Sequence, residues 1–344
     1  MTPEEIIDCI RDISSGKSSK HNVTEILRAH KCYALISLTD KTENKIERYI
    51  NAVTIKERYK MCHPIFEQDT IPYVVIKGAV LSNTVYNNPF LRYSGDIDIL
   101  IDRADADRMK ALLETNGFIQ GRITESGIVP FSRSEILYQT AMSHQTAPYV
   151  KQTGNKLCPY INLDVNMNIF WGESDEKANM NSFLSYRKKS ELFGVQLYKL
   201  TPEAEFISLC LHHYKDMNSL YLLSQGSLRL GLFCDIHDYL KNVKPDVEKL
   251  SEMCDVFNTG KYVYVCLHYT EEIFGDEVSG KYLDFLDKYR DSGLINTFGL
   301  SEKERKNWDI SLFERLFHPN LPEYVFNRLT TEEKEKVEIN KKMM

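Results

Sequence analysis

The chain has 344 residues, of which 42% are hydrophobic and 27% charged, the balance of an ordinary globular protein with room for two domains or for one with a large helical extension. Its formal net charge of −6 argues against a polynucleotide partner, which asks for a basic face; the only compact basic triplet, Arg187-Lys-Lys189, is expected to be a solvated helix face. Scattered cysteines without a C-x-x-C pair suggest neither a zinc site nor a disulfide framework, Met1-Thr-Pro-Glu-Glu5 opens no signal peptide, and no stretch is long and apolar enough to span a membrane, so a reducing cytoplasm is the expected setting.

Residues 2 to about 66 read as helical. Thr2-Pro3-Glu4-Glu5 is a helix start with a capping-box glutamate, and Lys41 to Phe66 carries Ile46, Ile50, Val53 and Tyr59 at helical spacing. Tyr73-Val-Val-Ile76 is a short buried strand that runs into Lys77-Gly78; a helix follows from Ala79 to Tyr86, and Asn87-Asn-Pro89 stops it. The stretch Tyr93-Ser-Gly-Asp-Ile-Asp-Ile-Leu-Ile101 is a second strand. Asp105 to Asn116 is an amphipathic helix with Met109, Leu112 and Leu113 inward, closed by Asn116-Gly117. Short strands are expected at 118–122 and 136–140. Pro148–Lys151 and Leu157–Asn166 flank Thr153-Gly154-Asn155 as a hairpin. Beyond Thr201-Pro202-Glu203 the pattern is helical, with Phe206, Leu209, Cys210 and His213 on one face and Leu232, Phe233, Ile236, Tyr239 and Leu240 on another. Further helices are expected at 246–257, 261–273 and 311–328, with a charged tail from Thr330 that frays. The division is a helical N-terminal segment at 1–70, an α/β unit at 71–200 and a helical C-terminal domain at 201–344.

Strand side chains alternate between two faces. Ile97, Ile99 and Ile101 therefore enter a core, while Asp96 and Asp98 share the opposite face. Two adjacent carboxylates on a half-buried strand repel unless a cation lies between them, and Mg²⁺, which takes oxygen ligands and substrate phosphates, answers that need. In Ile161-Asn-Leu-Asp-Val-Asn166 the same alternation places Asp164 beside Asn162 and Asn166 on the polar face of another strand. If the two strands are neighbours, three carboxylates converge. Two metal ions, one activating an acceptor hydroxyl and one neutralising a pyrophosphate leaving group, need such a set. Lys77-Gly78 at a strand-to-helix junction offers charge and close backbone approach to phosphates, and Arg92 is a second cation for them.

With Lys77-Gly-Ala-Val-Leu81, Arg92 before Asp96-Ile-Asp-Ile-Leu100, Leu163-Asp164-Val165 and the Leu200-Thr-Pro202 cap before His212-His213, the chain resembles the nucleotidyltransferase superfamily with the DNA polymerase β-like fold, and within it the branch of uncharacterised nucleotidyltransferases. The resemblance covers about residues 70 to 240. It implies an α/β (α+β) domain with a mixed or antiparallel sheet and helical extensions at both ends. It also implies Mg²⁺-dependent transfer of a nucleoside monophosphate from an NTP to a hydroxyl or phosphate acceptor, with pyrophosphate released. Asp96, Asp98 and Asp164 would be the catalytic metal-holding acids for two Mg²⁺ ions, with Mn²⁺ able to replace them. Lys77, Gly78 and Arg92 would grip the nucleotide. The chain departs from the pattern in having Lys-Gly-Ala where the wider superfamily has a Gly-Gly or Gly-Ser loop, and Asn166 where a histidine often follows the third acid.

Blander readings compete at each position. Asp96 and Asp98 would be solvated acids at a strand start, Lys77-Gly78 an ordinary helix-start turn, Arg92 a salt-bridge partner and Asp164 an exposed strand position. His213 reads as a core histidine, His212 faces elsewhere with no spaced metal ligand, and His144 lies in an irregular segment near the hairpin. Phe170-Trp171 packs or walls a base pocket. The acidic balance favours a small-molecule or peptide/protein acceptor over nucleic acid. Two rivals stand beside the transferase reading: a catalytically degenerate nucleotide- or partner-binding domain, and a small-molecule phosphotransferase, which would lack the P-loop motif.

Overall fold

The computed structural model describes residues 1–39, 45–88, 91–92, 94–172 and 174–344. Lys41, Pro89 and Tyr93, which the sequence reading used as a helix start, a helix stop and a strand start, lie outside them. The chain forms two compact units, and they do not follow sequence order: residues 44–208 make one, and residues 1–43 join 209–344 in the other.

In the 44–208 unit the sheet is built from β1 (Tyr73–Ile76), β2 (Ile97–Ile101), β3 (Ile119–Thr124), β4 (Gly127–Pro130), β5 (Tyr149–Gln152) and β6 (Tyr160–Asn166). Among the described residues these strands lie in the order β1-β2-β6-β5-β3-β4. β2 and β6 run parallel, and the other neighbours are antiparallel, so the sheet is mixed. The β-branched runs explain it: Val75, Ile97, Ile99, Ile101, Ile161, Leu163 and Val165 fill one face and are buried against each other. The helix Lys45–Phe66 covers that face with Ile55, Tyr59, Cys62 and Phe66, and the helix Ala106–Thr115 adds Met109 and Leu113. Asn116-Gly117 closes the latter as expected, Gly117 taking φ +80°. Burial of these side chains stabilises the unit by roughly 1.5–3 kcal/mol each.

Several expectations need correction. Ile46 and Ile50 are 72% and 53% exposed; the buried stripe of their helix begins at Ala52 and continues through Ile55, Tyr59 and Cys62. Residues 136–140 are helical, within Arg133–Met142. Ser132 caps that helix and Glu135 returns the hydrogen bond to the Ser132 N–H at 2.7 Å, a capping box whose signature outweighs the local strand propensity. Arg187-Lys-Lys189 lies on a strand, β7 (Arg187–Leu192), paired with β8 (Val195–Leu200); Arg187 sits 5.0 Å from the Tyr198 ring centroid.

In the other unit the helices Leu230–Asn242, Val247–Phe257 and Gly260–Phe274 supply the core with Phe233, Ile236, Tyr239, Leu250, Val263 and Cys266. The expected 311–328 helix is two, Leu312–Leu316 and Leu321–Asn327. The tail does not fray: Thr331–Met343 is a helix held by a Thr330/Glu333 capping box, with Val337 buried.

Candidate active site

Parallel pairing of β2 with β6 sets Asp98 directly beside Asp164, and Leu100 beside Asn166. Side chains in register across neighbouring strands share a face, so Asp98, Asp164 and Asn166 emerge on the side opposite the Ile97/Ile99/Val165 core. β1 lies on the other flank of β2 and delivers Lys77 as it ends, with Ile76 opposite Asp98. Asp96 sits in the bend that enters β2. The sheet thus gathers Asp96, Asp98 and Lys77 with the β6 side chains, and the strand-neighbour condition for Asp164 is met.

The electrostatics centre on Asp98, which is buried, at 7% exposure. Lys77 Nζ donates to Asp98 Oδ1 at 3.0 Å and to Asn166 Oδ1 at 3.0 Å. Asn166 Nδ2 donates to Asp98 Oδ1 at 3.2 Å and to the Ile99 carbonyl at 3.1 Å. Gln145 Nε2 donates to Asn166 Oδ1 at 2.9 Å. The Ile99 carbonyl accepts only, which fixes the amide orientation of Asn166 and turns its oxygen to Lys77 and Gln145. Asp96 has a different environment. Burial and then the neighbouring Asp98 charge push its carboxyl above the usual range, against the opposing pull of Lys77 and Arg58. Its partner is Ser94, whose Oγ lies 3.4 Å from Asp96 Oδ1 and 3.1 Å from the Asp96 carbonyl.

The junction before the acids is strained. Lys77 takes φ 57°, ψ −150°, a backbone region that non-glycine residues enter at about 1–3 kcal/mol. Gly78 follows at φ +23°, and a Cβ there would meet Ser94 Oγ at 2.7 Å, so only glycine lets the turn close over Ser94. The helix Gly78–Thr84 starts here with no side-chain cap, and Arg92 Nη1 donates to the Gly78 carbonyl at 3.4 Å.

Two residues at this site had no place in the sequence reading. Arg58 is 7% exposed and reaches the Ser94 carbonyl from the helix Lys45–Phe66 at 3.4 Å. Its signal was available: an arginine three residues after Ile55 and four before Cys62 falls on a buried apolar stripe. Gln145 sits on an isolated bridge to Asn166 and carried no signal. His144 is buried and gives its carbonyl to the Met167 N–H. Phe170 and Trp171 are buried, edge to face with centroids 6.0 Å apart, so they pack and do not present open faces. His213, in the other unit, is a core residue at 1% exposure with Nε2 3.4 Å from Asp235 Oδ2; His212 Nε2 lies 3.6 Å from Asp216 Oδ2.

As a donor set, the Asp96/Asp98 pair is hard oxygen with a surplus of negative charge, which fits a divalent cation such as Mg²⁺. Among the described residues, no group of three or more His, Cys, Asp or Glu side chains is arranged to hold a metal ion. Lys77 takes part of the space and charge that such a group would use.

The chain belongs to the family described as uncharacterised nucleotidyltransferases, whose model matches residues 51–275. The crystal structure of an antigenic nucleotidyltransferase-like protein from Paracoccidioides brasiliensis is similar over 69% of this chain and 91% of that one, at 14% identity and a TM-score of 0.34. No curated protein matches the chain.

Proposed function

We propose that this protein transfers a nucleoside monophosphate from an NTP to a hydroxyl or phosphate group on a small molecule, peptide or protein, with Mg²⁺ as cofactor. The observation that carries the reading is the register of Asp98 against Asp164 on adjacent parallel strands, with Asp96 two residues before Asp98. In this reading an acceptor oxygen bonds to the α-phosphorus, the bond from that phosphorus to the bridging oxygen breaks, and pyrophosphate leaves with the electron pair. Asp164 takes the acceptor's proton when that acceptor is a hydroxyl. Asp96 and Asp98 would hold Mg²⁺, which when bound would supply charge neutralisation at the phosphates and a lowered hydroxyl pKa. The uncapped N–H groups from Gly78 onward and the Arg92 guanidinium orient the triphosphate.

The test is thermal stability and product analysis with ATP, CTP, GTP and UTP, each with and without Mg²⁺. An NTP at a hundred times its Kd stabilises by about 2.7 kcal/mol, roughly 5–10 °C for a unit of this size. That shift with one NTP, dependent on Mg²⁺ and absent in Asp98→Asn, together with pyrophosphate as product, is the expected result. NDP as product would replace the proposal with a phosphotransferase. A degenerate binding domain is the second reading, favoured by the Lys77–Asp98 ion pair, since an inert remnant also needs its buried acid neutralised. It predicts no pyrophosphate with any NTP.

A further inference from the structure

Lys77 and Asp98 form an ion pair in which both side chains are almost wholly out of solvent, at 10% and 9% exposure. Withdrawing two charges from water is expensive, and such a pair persists only where further hydrogen bonds complete it. Those bonds are present: Asn166 Oδ1 receives Lys77 Nζ, Asn166 Nδ2 braces Asp98, and Gln145 holds Asn166 in turn. The chain also accepts a strained backbone at Lys77 to deliver this side chain. A lysine that reached freely for phosphate would need neither the brace nor the strain.

The charges of the acid pair are then unequal in their compensation. Asp98 is matched by the Lys77 ammonium. Asp96 forms no ion pair among the described residues and has the Ser94 hydroxyl as its near partner. Across the site the three carboxylates of Asp96, Asp98 and Asp164 face the Lys77 ammonium and the more distant Arg58 guanidinium, which leaves one negative charge to be met.

We propose that the Lys77 ammonium stands where a second cation would bind, so that the Asp96/Asp98 site takes a single divalent ion. The inference rests on the reading of these acids as the cation-holding pair. Lys77 is thereby a built-in cation and a positioning residue for Asp98, and Asn166 and Gln145 are the scaffold that holds it. The ion sits on the Asp96 side of the pair, where among the described residues no side chain forms an ion pair with the carboxylate.

Counting Mn²⁺ bound to the nucleotide-free full chain by electron paramagnetic resonance tests this, with Mn²⁺ alone as the probe. Wild type is expected to bind one ion per chain, and Lys77→Arg, which keeps the charge, also one. Lys77→Ala is expected to bind two. Lys77→Gln, which retains a donor for Asp98 and Asn166 without the charge, should match Lys77→Ala and covers the case in which the alanine variant fails to fold. Two ions on the wild type would overturn the inference and leave the proposed function intact. So would an unchanged count of one in both Lys77→Ala and Lys77→Gln. No ion on the wild type or on any variant would overturn both the inference and the metal-dependent reading beneath it.

Discussion

Substituting Lys77 by glycine and, separately, by alanine isolates the backbone strain at the centre of the site. Both changes delete the ammonium and leave Asp98 with Asn166 as its brace, so the loss of the ion pair, about 3–5 kcal/mol for breaking a buried pair, cancels in the comparison. The backbone alone separates the two variants. At an ordinary helical or extended position alanine is the more stable by roughly 0.5–1 kcal/mol, because glycine loses more freedom on folding. At φ 57°, ψ −150° alanine instead meets a strain of about 1–3 kcal/mol that glycine escapes. The order should therefore invert, with Lys77→Gly more stable than Lys77→Ala by about 0.5–2 kcal/mol. That is a gap of roughly 1–8 °C in Tm for a unit of this length. Urea unfolding and thermal melts of the two variants at neutral pH without metal measure it. Alanine equal to glycine, or better, would mean that Lys77 is not strained and that the turn does not hold the lysine under tension.

Other changes have defined directions. Gly78→Ala places a methyl 2.7 Å from Ser94 Oγ; displacing that hydroxyl from Asp96 and straining φ should destabilise by about 1–3 kcal/mol and reduce activity, read in parallel by denaturant midpoint and pyrophosphate release. Asp98→Asn should abolish turnover while circular dichroism stays that of the wild type, since Lys77 and Asn166 can still bond an amide oxygen; near-full activity would refute the metal assignment. Leu163→Ala, which empties a fully buried core position on β6, should cost about 2–5 kcal/mol, seen as a fall in urea midpoint. In the other unit, burial and then the nearby Arg229 charge push His30 down to about 4, and its Nδ1 accepts the Leu230 N–H at 3.1 Å. Protons then favour the unfolded chain: stability is full above about pH 6.5 and falls by about 2–3 kcal/mol on the way down to about pH 4, while His30→Asn, whose side-chain oxygen replaces that acceptor, should melt with a flatter pH profile.

The acids were legible because a strand writes its faces into alternate residues. Ile97, Ile99 and Ile101 fixed the inward face of β2 and with it the outward face of Asp98, whereas Asp96, expected on the same strand, lies in the bend before it. The same rule applied to Ile161, Leu163 and Val165 fixed Asp164. The hairpin at 153–159 followed from Thr153-Gly154-Asn155. The exposed Ile46 and Ile50 and the helix at 133–142 were misread for opposite reasons. In the first, several apolar residues at helical spacing fit more than one stripe, and the stripe that packs is fixed by the sheet beneath it. In the second, a short capping signature decided what local propensity did not.

The charge balance of the site was hidden for a deeper reason. A lysine beside a glycine at a helix start reads as a phosphate grip, because sequence adjacency shows where the turn is and not which way a long side chain leaves it. From the end of β1 that side chain reaches Asp98 on β2 and Asn166 on β6, and the target exists only once β2 and β6 are paired. Asn166 then acquires its meaning. In sequence it is only the residue two places after Asp164; as a neighbour of Leu100 across a parallel ladder it is an amide with its oxygen on Lys77 and its nitrogen on Asp98. An imidazole offers one acceptor at most and could not receive Lys77 and Gln145 together while donating to Asp98 and to the Ile99 carbonyl. The departure at residue 166 and the strained lysine at residue 77 are therefore one feature, and a swap of Asn166 to histidine should release Lys77 as surely as mutating the lysine.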